Sequence, residues 1–367
     1  MKNNDKRVLA AVATEPLVTQ IQEFSVPELS ANEGLLKVEM VGVCGTDVAN
    51  YKHISDPRIL GHHVVGHIEK IGVEAAKRWG VQEGDRVAME EYLPCGQCDR
   101  CREGLYRACS FTDSRRGGLR YGNTSVHLKP SLWGGFSQYM YLHPNAVVHR
   151  LPKDVPVAEA VFTLPLANGF EWMCLEAKVG VGKTVVVQGP GQQGLACVLA
   201  AKAAGADKVI MVGRQTSIRR LQLSMQLGAD AIVNTTTKNL VDGIAELTDG
   251  KMADVVVDVT SGGAEPVTQA FAIAKNRGLV ILAAYKYAKI PEWDSDLVLS
   301  KSLTIKGLRG HSYRSVEMAI QCIASGKFPV SMLQSHRYGL QDVDLALRTA
   351  DGKGEPNPLL VAVDPWQ

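Results

Sequence analysis

The sequence predicts an α/β protein in which a β-rich, barrel-like domain precedes a doubly wound parallel sheet. At 367 residues the chain is too long for one ordinary domain, since domains usually hold about 100–200 residues. Short β-type runs broken by glycine and proline fill the first part of the chain, and from residue 156 onward fully apolar strands alternate with helical stretches. The first pattern is typical of an antiparallel barrel, and the second of a parallel sheet covered by helices on both faces.

The predicted elements follow these two patterns in order. The β-type runs of the first domain are residues 34–41, 63–68 and 86–89. The apolar strands of the second domain are residues 185–187, 209–212, 231–233, 255–257, 279–282 and 303–305, and the helices between them include 195–204 and 218–227. A helix at 315–325 and a strand at 359–363 complete the prediction.

Composition restricts the possible function classes. Forty basic and 38 acidic residues give a net charge of +2, which does not favour nucleic acid or a membrane surface as a partner. No apolar run approaches the ~20 residues of a membrane-spanning helix, and the first residues lack the apolar core of a secretion signal. We therefore expect a soluble, cytoplasmic protein.

A glycine-rich turn follows the first apolar strand of the second domain. Residues 189–194 read Gly-Pro-Gly-Gln-Gln-Gly and open a helix. Glycines in this pattern allow a tight turn and a close approach of the backbone to a pyrophosphate, while the helix N-terminus offers free N–H groups to the phosphates. We predict a dinucleotide site at Gly189, Gly191, Gln192 and Gly194, with an ordinary strand-to-helix turn as the alternative.

The end of the next strand bears on the choice between NAD and NADP. An NAD site normally places Asp or Glu there to accept hydrogen bonds from the ribose 2′-hydroxyl. This chain instead has Gly213 and Arg214, with Arg219 and Arg220 close behind. Because guanidinium groups favour a 2′-phosphate, we predict NADP over NAD. Arginines that are merely solvated, or that stack on the adenine, are the alternatives.

Four of the eight cysteines crowd into one segment, at Cys95, Cys98, Cys101 and Cys109. Without a secretion signal, such spacing indicates a metal site before disulfides. Four thiolates suit tetrahedral zinc and leave no open coordination position, so we predict a structural zinc site. An iron–sulfur cluster also accepts four cysteines.

Taken together, these motifs resemble those of the zinc-containing medium-chain dehydrogenases, the alcohol, sorbitol and threonine dehydrogenase relatives. The segments Cys44–Asp47 and Gly61–Gly66, the cysteine cluster and the glycine turn occur in the family's order. The resemblance implies a GroES-like, partly open β-barrel domain at residues 1–155 and 310–367, around a Rossmann domain at 156–309. It also implies an active site in the cleft between the domains, and a homodimer or homotetramer.

The resemblance assigns roles to four residues. Cys44 and His62 match the first two ligands of a catalytic zinc, which polarises an alcohol or carbonyl oxygen so that hydride can pass to or from nicotinamide. Thr46 matches the hydroxyl that passes the substrate proton outward, and Asp47 matches the carboxylate that orients the ligating histidine. Thr46 and Asp47 are also residue types that cap helices.

Three positions depart from the family's pattern. The family reads Gly-His-Glu where this chain has His63, and Leu164 replaces the cysteine or glutamate that supplies the third zinc ligand. Ala49 replaces the outer histidine of the proton relay, with Tyr51 or His53 as candidate substitutes.

These departures leave the third ligand open. His63 is our candidate, although adjacent side chains of a strand point to opposite faces unless the backbone turns there. Asn168 and Glu90 are other polar candidates. In a metal-free site, Thr46 and Tyr51 would polarise the carbonyl.

The sequence favours an NAD(P)-dependent, zinc-assisted alcohol dehydrogenase or ketone reductase acting on a secondary alcohol or carbonyl. The first alternative is a metal-free, NADPH-dependent enoyl or quinone reductase on the same fold, and the second is a non-catalytic nucleotide-binding protein. A bulky, apolar substrate is expected if the aromatic residues close to these motifs line the site. Those residues are Tyr51, Tyr92, Trp133, Phe136, Phe170 and Trp172.

Overall fold

The polypeptide passes from one folding unit to a second and then returns. The computed structural model describes residues 7–261, 263–290 and 293–367. The chain up to Leu164 and the segment Val330–Gln367 form the first unit, and Pro165–Pro329 forms the second.

The strands, in chain order, are β1 (Arg7–Glu15), β2 (Val18–Ser25), β3 (Gly34–Gly42), β4 (Arg58–Ile59), β5 (His63–Ile71), β6 (Arg86–Met89), β7 (Tyr139–Leu142), β8 (Val148–Arg150), β9 (Thr184–Gln188), β10 (Lys208–Gly213), β11 (Ala231–Asn234), β12 (Ala253–Asp258), β13 (Ala274–Leu282), β14 (Thr304–Gly307), β15 (Gln334–Gly339) and β16 (Leu360–Asp364).

The α-helices are α1 (Gly45–Lys52), α2 (Val73–Trp79), α3 (Asp99–Arg102), α4 (Val157–Ala160), α5 (Thr163–Phe170), α6 (Gln192–Ala203), α7 (Ile218–Gln226), α8 (Leu240–Leu247), α9 (Glu265–Ile273), α10 (Ser295–Ser300), α11 (Tyr313–Ala324) and α12 (Val343–Ala350). A π-helical turn, Glu171–Glu176, continues α5, and short 3₁₀ turns occur at Tyr106–Ala108, Ser110–Thr112, Ser114–Arg116, Gln215–Ser217, Val330–Leu333 and Leu340–Asp342.

Antiparallel pairing dominates the first unit, as its sequence pattern predicts. One sheet has the order β15-β16-β3-β5-β6-β8, with β7 also paired to β3, and a smaller sheet has the order β2-β1-β4. Pairing of β15 with β16 is the parallel exception in the first unit. Fully buried side chains such as Leu36, Val38 and Phe136 fill the space between the sheets, so this unit has a core of its own.

The second unit contains the predicted parallel sheet, in the order β11-β10-β9-β12-β13-β14. Val186, Ile210 and Val256 on its three central strands are fully buried, because helices cover both faces. The chain runs from β9 outward to β10 on one side and to β12 on the other. Ligands of open parallel sheets bind at the carboxyl ends of the strands where the order reverses, and β9 leads into the glycine turn at this point.

The divisions between the units fall later in the chain than the sequence-based boundaries at 155/156 and 309/310. Residues just past 309 hydrogen-bond within the second unit. The indole of Trp172 donates to the carbonyl of Gly310 (3.2 Å), and the N–H of Ser312 donates to Glu171 (3.1 Å). These bonds fix the segment that leads into α11. Among the described residues, no helix has both the length and the apolarity needed to cross a bilayer.

Candidate functional site

The first part of the candidate site lies where β3 ends and α1 begins. Cys44 precedes the helix with an extended backbone (φ −100°, ψ 155°), and its N–H donates to Oδ2 of Asp47 (2.8 Å). A carboxylate at the third residue of a helix can accept a hydrogen bond from the backbone N–H of the capping residue, and this bond stabilises the first turn. Asp47 thereby fixes the backbone from which the Cys44 thiol projects.

Asp47 also connects α1 to the start of β5. Its fully buried Oδ1 accepts the N–H of Gly61 (3.0 Å) and lies 3.0 Å from Nδ1 of His62. Although burial by itself raises the pKa of this carboxyl, His62 and the N–H of Cys44 lower the pKa below its usual value. An ionised Asp47 therefore retains the proton on Nδ1 of His62 and leaves Nε2 available as a ligand atom.

The backbone turns just before the two histidines, so the alternation of side chains along a strand does not apply to His62 and His63. Gly61 has φ +86°, and β5 starts at His63, so the two histidines are not on alternate faces of one strand. Their ring centroids are 4.6 Å apart, with the planes at 78°. One ligand atom from each of Cys44, His62 and His63 lies within 4.8 Å of the other two. We call these three residues the triad.

The triad has the electrostatics of a site for a divalent cation. Burial alone would raise the pKa of the Cys44 thiol, but His63 and His62 hold the pKa well below its usual value. Burial alone would lower the pKa of His62, but Asp47 and Cys44 raise it. Nδ1 of His63 is buried and has no hydrogen-bond partner among the described residues. A zinc ion would use the thiolate and one ring nitrogen of each histidine, so the residues fit the metal.

Thr46 lies at the solvent side of the triad. Its side chain is exposed, and its hydroxyl donates to Sγ of Cys44 (3.1 Å) and lies 3.4 Å from Nε2 of His62. The structure therefore brings together Cys44, Thr46, Asp47, His62 and His63.

The other polar candidates, Glu90 and Asn168, have hydrogen-bond partners of their own. Glu90 is fully buried and bonds to the hydroxyl of Tyr106 (2.6 Å) and to Nε2 of His149 (2.8 Å). In the second unit, Asn168 donates to Gln193 (3.2 Å). Glu90 does not belong to the triad's group of ligand atoms.

Tyr51 does not serve as a relay or as an electrophile in this arrangement. Its hydroxyl oxygen lies 2.6 Å from both the carbonyl oxygen of Leu17 and Oδ1 of Asp344, which share its one proton, and burial together with Asp344 raises its pKa. His53 is exposed. The aromatic residues considered as a substrate lining are all buried, with side chains that belong to the cores: Tyr51, Tyr92, Trp133, Phe136, Phe170 and Trp172.

The four clustered cysteines converge on one point. Sγ of Cys101 lies 3.5 Å from Sγ of Cys98 and 4.0 Å from Sγ of Cys95, which in turn lies 3.6 Å from Sγ of Cys109. A tetrahedral ion with bonds of about 2.3 Å places its ligands about 3.8 Å apart. Backbone N–H groups of Gln97 and Cys98 lower the pKa of Cys95 to about 6. The cluster thus fits a single four-coordinate ion.

The glycine turn has the shape that a pyrophosphate needs. Gly189 has φ +104°, and a Cβ on Gly194 would lie 1.9 Å from the carbonyl oxygen of Gly189, so only glycine fits there. A Cβ on Gly191 would meet nothing within 4 Å, which leaves open space in front of the turn. The turn leads directly into α6, which begins at Gln192, and the N–H groups of a helix's first turn are those that can donate to a ligand.

Arg214 lies at the carboxyl end of β10, beside this turn. Pro190 of the turn packs where a side chain on Gly213 would be, since a Cβ there would lie 3.0 Å from the proline ring. Arg214 and Arg219 are exposed, and Arg220 is partly buried. No carboxylate occurs from 213 to 220.

Comparison with known proteins identifies the family. The profile of the alcohol dehydrogenase GroES-like domain matches residues 30–153, and that of the zinc-binding dehydrogenases matches residues 194–325. A Mycobacterium tuberculosis protein named "Probable alcohol dehydrogenase adh" is 34% identical over 359 residues, covering 96% of each chain. The chain belongs to the zinc-type medium-chain dehydrogenases.

More distant members agree with this assignment. The L-threonine 3-dehydrogenase of Pyrococcus abyssi is 29% identical over 91% of this chain and 92% of its own. The crystal structure of an alcohol dehydrogenase from Thermotoga maritima superposes with a TM-score of 0.87 at 22% identity, covering 98% of this chain and 99% of that one. The predicted fold class, a Rossmann sheet inserted into a GroES-like domain, is confirmed, and the protein is an oxidoreductase of the alcohol and polyol dehydrogenase type that acts on CH–OH donors.

Replacing Asp47 by Asn should destabilise this medium-chain dehydrogenase. An amide offers one oxygen where the structure uses two, so its NH₂ group must face the N–H of Cys44 or that of Gly61. A buried donor left without an acceptor costs about 1–3 kcal/mol, which should appear as a lower denaturation midpoint. Asp154→Asn, on an exposed carboxylate, is the control and should leave the midpoint unchanged. Equal midpoints for the two variants would contradict the role assigned to Asp47.

Proposed function

We propose that this chain is a zinc-dependent alcohol dehydrogenase or ketone reductase that uses NADP(H) and interconverts a secondary alcohol and a ketone. The observation that carries the proposal is the triad, whose three ligand atoms meet within 4.8 Å beside the exposed hydroxyl of Thr46. Three protein ligands with a fourth position left for substrate are typical of catalytic rather than structural zinc.

His63 takes the place of the ligand lost at Leu164. Leu164 is buried and apolar, so it supplies no ligand, whereas one ring nitrogen of His63 lies within 4.8 Å of ligand atoms of Cys44 and His62. When bound, zinc supplies Lewis-acid polarisation of the substrate oxygen. Asp47 maintains His62 in the tautomer that presents Nε2.

Thr46 handles the substrate proton. Its Oγ1 is within 3.5 Å of both Cys44 and His62, so it reaches the oxygen of a substrate held at the triad. Because the side chain is exposed, the proton can pass from the hydroxyl to solvent without the histidine that Ala49 replaces. During ketone reduction the same path returns a proton to the new alcohol oxygen.

The four-cysteine cluster is proposed to bind a second, structural zinc. The spacing of its sulfur atoms suits one tetrahedral ion, and four protein ligands leave no position for substrate. Arg214 is proposed to bind the 2′-phosphate of NADP, because it is an exposed guanidinium at the end of β10 where the chain offers no carboxylate.

An activity assay tests the proposed chemistry directly. NADPH oxidation should be measured with butan-2-one and NADP reduction with butan-2-ol, before and after treatment with 1,10-phenanthroline. We expect turnover in both directions and loss of it on chelation. Reduction of cyclohex-2-enone at the conjugated C=C, insensitive to the chelator and without activity on alcohols, would instead support the metal-free enoyl reductase.

Metal analysis of variants should separate the two zinc sites. We expect about two zinc ions per wild-type chain and about one in His63→Ala, since a catalytic site with two ligands holds the ion weakly. Cys98→Ser should also retain about one ion, and in addition it should lower the melting temperature because structural zinc contributes folding energy. His67→Ala, on the same strand but outside the triad, is the matched control and should retain both ions. Full zinc content in His63→Ala would refute its role as a ligand.

The variant Arg214→Asp should shift cofactor preference toward NAD. Loss of a charge-assisted hydrogen bond of about 1.5–3 kcal/mol lowers kcat/KM for NADP by about 10–100-fold, while the new carboxylate can accept from the 2′-hydroxyl of NAD. The ratio of kcat/KM for the two cofactors is the measurement. Lys251→Asp, an equal change of charge at another exposed position of the second unit, should leave this ratio unaltered. Unchanged NADP preference in Arg214→Asp would exclude a contact with the 2′-phosphate.

A further inference from the structure

A second polar group lies in the first unit, outside the triad. Oδ1 of Asn123 accepts hydrogen bonds from Nη1 of Arg58 (2.7 Å) and from Nδ2 of Asn50 (3.2 Å). The three residues come from α1, from β4 and from the loop that precedes β7. We call them the Arg58 cluster.

The Arg58 cluster borders the triad on the side of Thr46. Gly122, next to Asn123, packs so closely on the triad that a Cβ there would lie 3.1 Å from Cβ of His62. Asn50 follows Thr46 by four residues on α1, and residues four apart lie on one face of a helix. A ligand that extends from Thr46 along this face therefore meets Asn50 and its partners.

The charge of Arg58 is incompletely compensated. Its side chain is only 18% exposed, and burial lowers its pKa. The nearest carboxylate in the described chain is that of Asp56, whose Oδ2 lies 3.9 Å from Nη2, beyond hydrogen-bond distance. Nε donates to the backbone carbonyl of Asp56 (3.1 Å). A largely buried guanidinium whose Nη2 makes no hydrogen bond in the described chain is a favourable partner for a carboxylate or phosphate.

Arg120, the other arginine close to the triad, has a carboxylate partner at hydrogen-bond distance. Its Nη2 donates to Glu91 at 2.7 Å, and its guanidinium stacks on Tyr92 with 4.7 Å to the ring centroid. The buried carboxylate of Glu91 therefore already balances its charge at hydrogen-bond distance. Of these two arginines, Arg58 is the one whose carboxylate neighbour lies beyond hydrogen-bond distance.

We propose that the Arg58 cluster binds an anionic group, a carboxylate or a phosphate, on the alcohol substrate. Nη2 of Arg58 and Nδ2 of Asn123 donate to the anion, while the substrate's reacting oxygen lies beside Thr46. This inference rests on the proposed function and specifies its substrate class as short hydroxy acids or polyol phosphates. It replaces the bulky, apolar substrate, whose expected aromatic lining is buried.

Steady-state kinetics with matched substrates tests the proposal. The substrates are 3-hydroxybutyrate for a carboxylate, glycerol 3-phosphate for a phosphate, and butan-2-ol as the neutral reference. In Arg58→Gln, we expect KM for the anionic substrates to rise by about 10–100-fold, the equivalent of one charged hydrogen bond, with little change for butan-2-ol. Arg58→Lys retains the positive charge but lacks the paired N–H donors of the guanidinium. Its KM for the anionic substrates should therefore lie between those of the wild type and Arg58→Gln. Arg116→Gln removes an exposed guanidinium of the same unit and should behave as wild type.

Calorimetric titration of the full-length protein with 3-hydroxybutyrate, and separately with inorganic phosphate, gives a readout independent of turnover. Binding of either anion to the wild type, weakened in Arg58→Gln, supports the proposal, and the anion that binds identifies which of the two classes is used. Absence of binding by both anions, or equal binding by Arg58→Gln, overturns it. If no alcohol is oxidised but an anion binds through Arg58, the proposed function fails and the anion site stands. If only butan-2-ol is oxidised and no anion binds, the anion site fails and the proposed function stands.

Discussion

The buried carboxylate of Asp47 determines the arrangement on which the rest of the candidate site depends. Removing a charge from water costs several kcal/mol unless hydrogen bonds compensate for it. Asp47 meets this requirement through the N–H groups of Cys44 and Gly61 and through Nδ1 of His62. Two of these partners follow it by 14 and 15 residues, so the carboxylate holds the start of α1 against the turn before β5. These hydrogen bonds to Asp47 thus position the thiol of Cys44 and the imidazole of His62.

Strand pairing positions the third member of the triad. β3 and β5 pair in a register that places Gly42 opposite His63, and a Cβ on Gly42 would lie 3.3 Å from Cβ of His63. Because Gly42 is followed by Val43 and then by Cys44, the same pairing brings the imidazole to the thiol. The Cys44–His63 geometry is therefore a consequence of the β3–β5 register.

Local patterns in the sequence predicted the elements and most of the candidate site, and failed where a contact depends on tertiary structure. The apolar strands of the second unit, the glycine turn and the cysteine cluster are each contiguous and can be recognised alone. Alternation of side chains holds only within a regular strand, so it does not predict the orientation of His63, which follows a turn. Its place in the sequence makes Tyr51 a candidate relay, but its hydroxyl bonds to Asp344, 293 residues away. Arg58 and Asn123, 65 residues apart, share no pattern, so only the folded chain associates them.

The charges around the triad accord with an anionic substrate. The thiolate of Cys44 and the carboxylate of Asp47 together balance one divalent cation. His63 stands where the family usually has glutamate, and Leu164 where it has glutamate or cysteine, so two further negative charges are absent. Each such charge would repel an anion held nearby. With a divalent ion bound, the triad and Asp47 would carry no net charge, so they would add no such repulsion beside the incompletely paired guanidinium of Arg58. The two departures from the family's pattern that would remove negative charge from the proposed zinc site are therefore consistent with the proposed carboxylate or phosphate on the substrate.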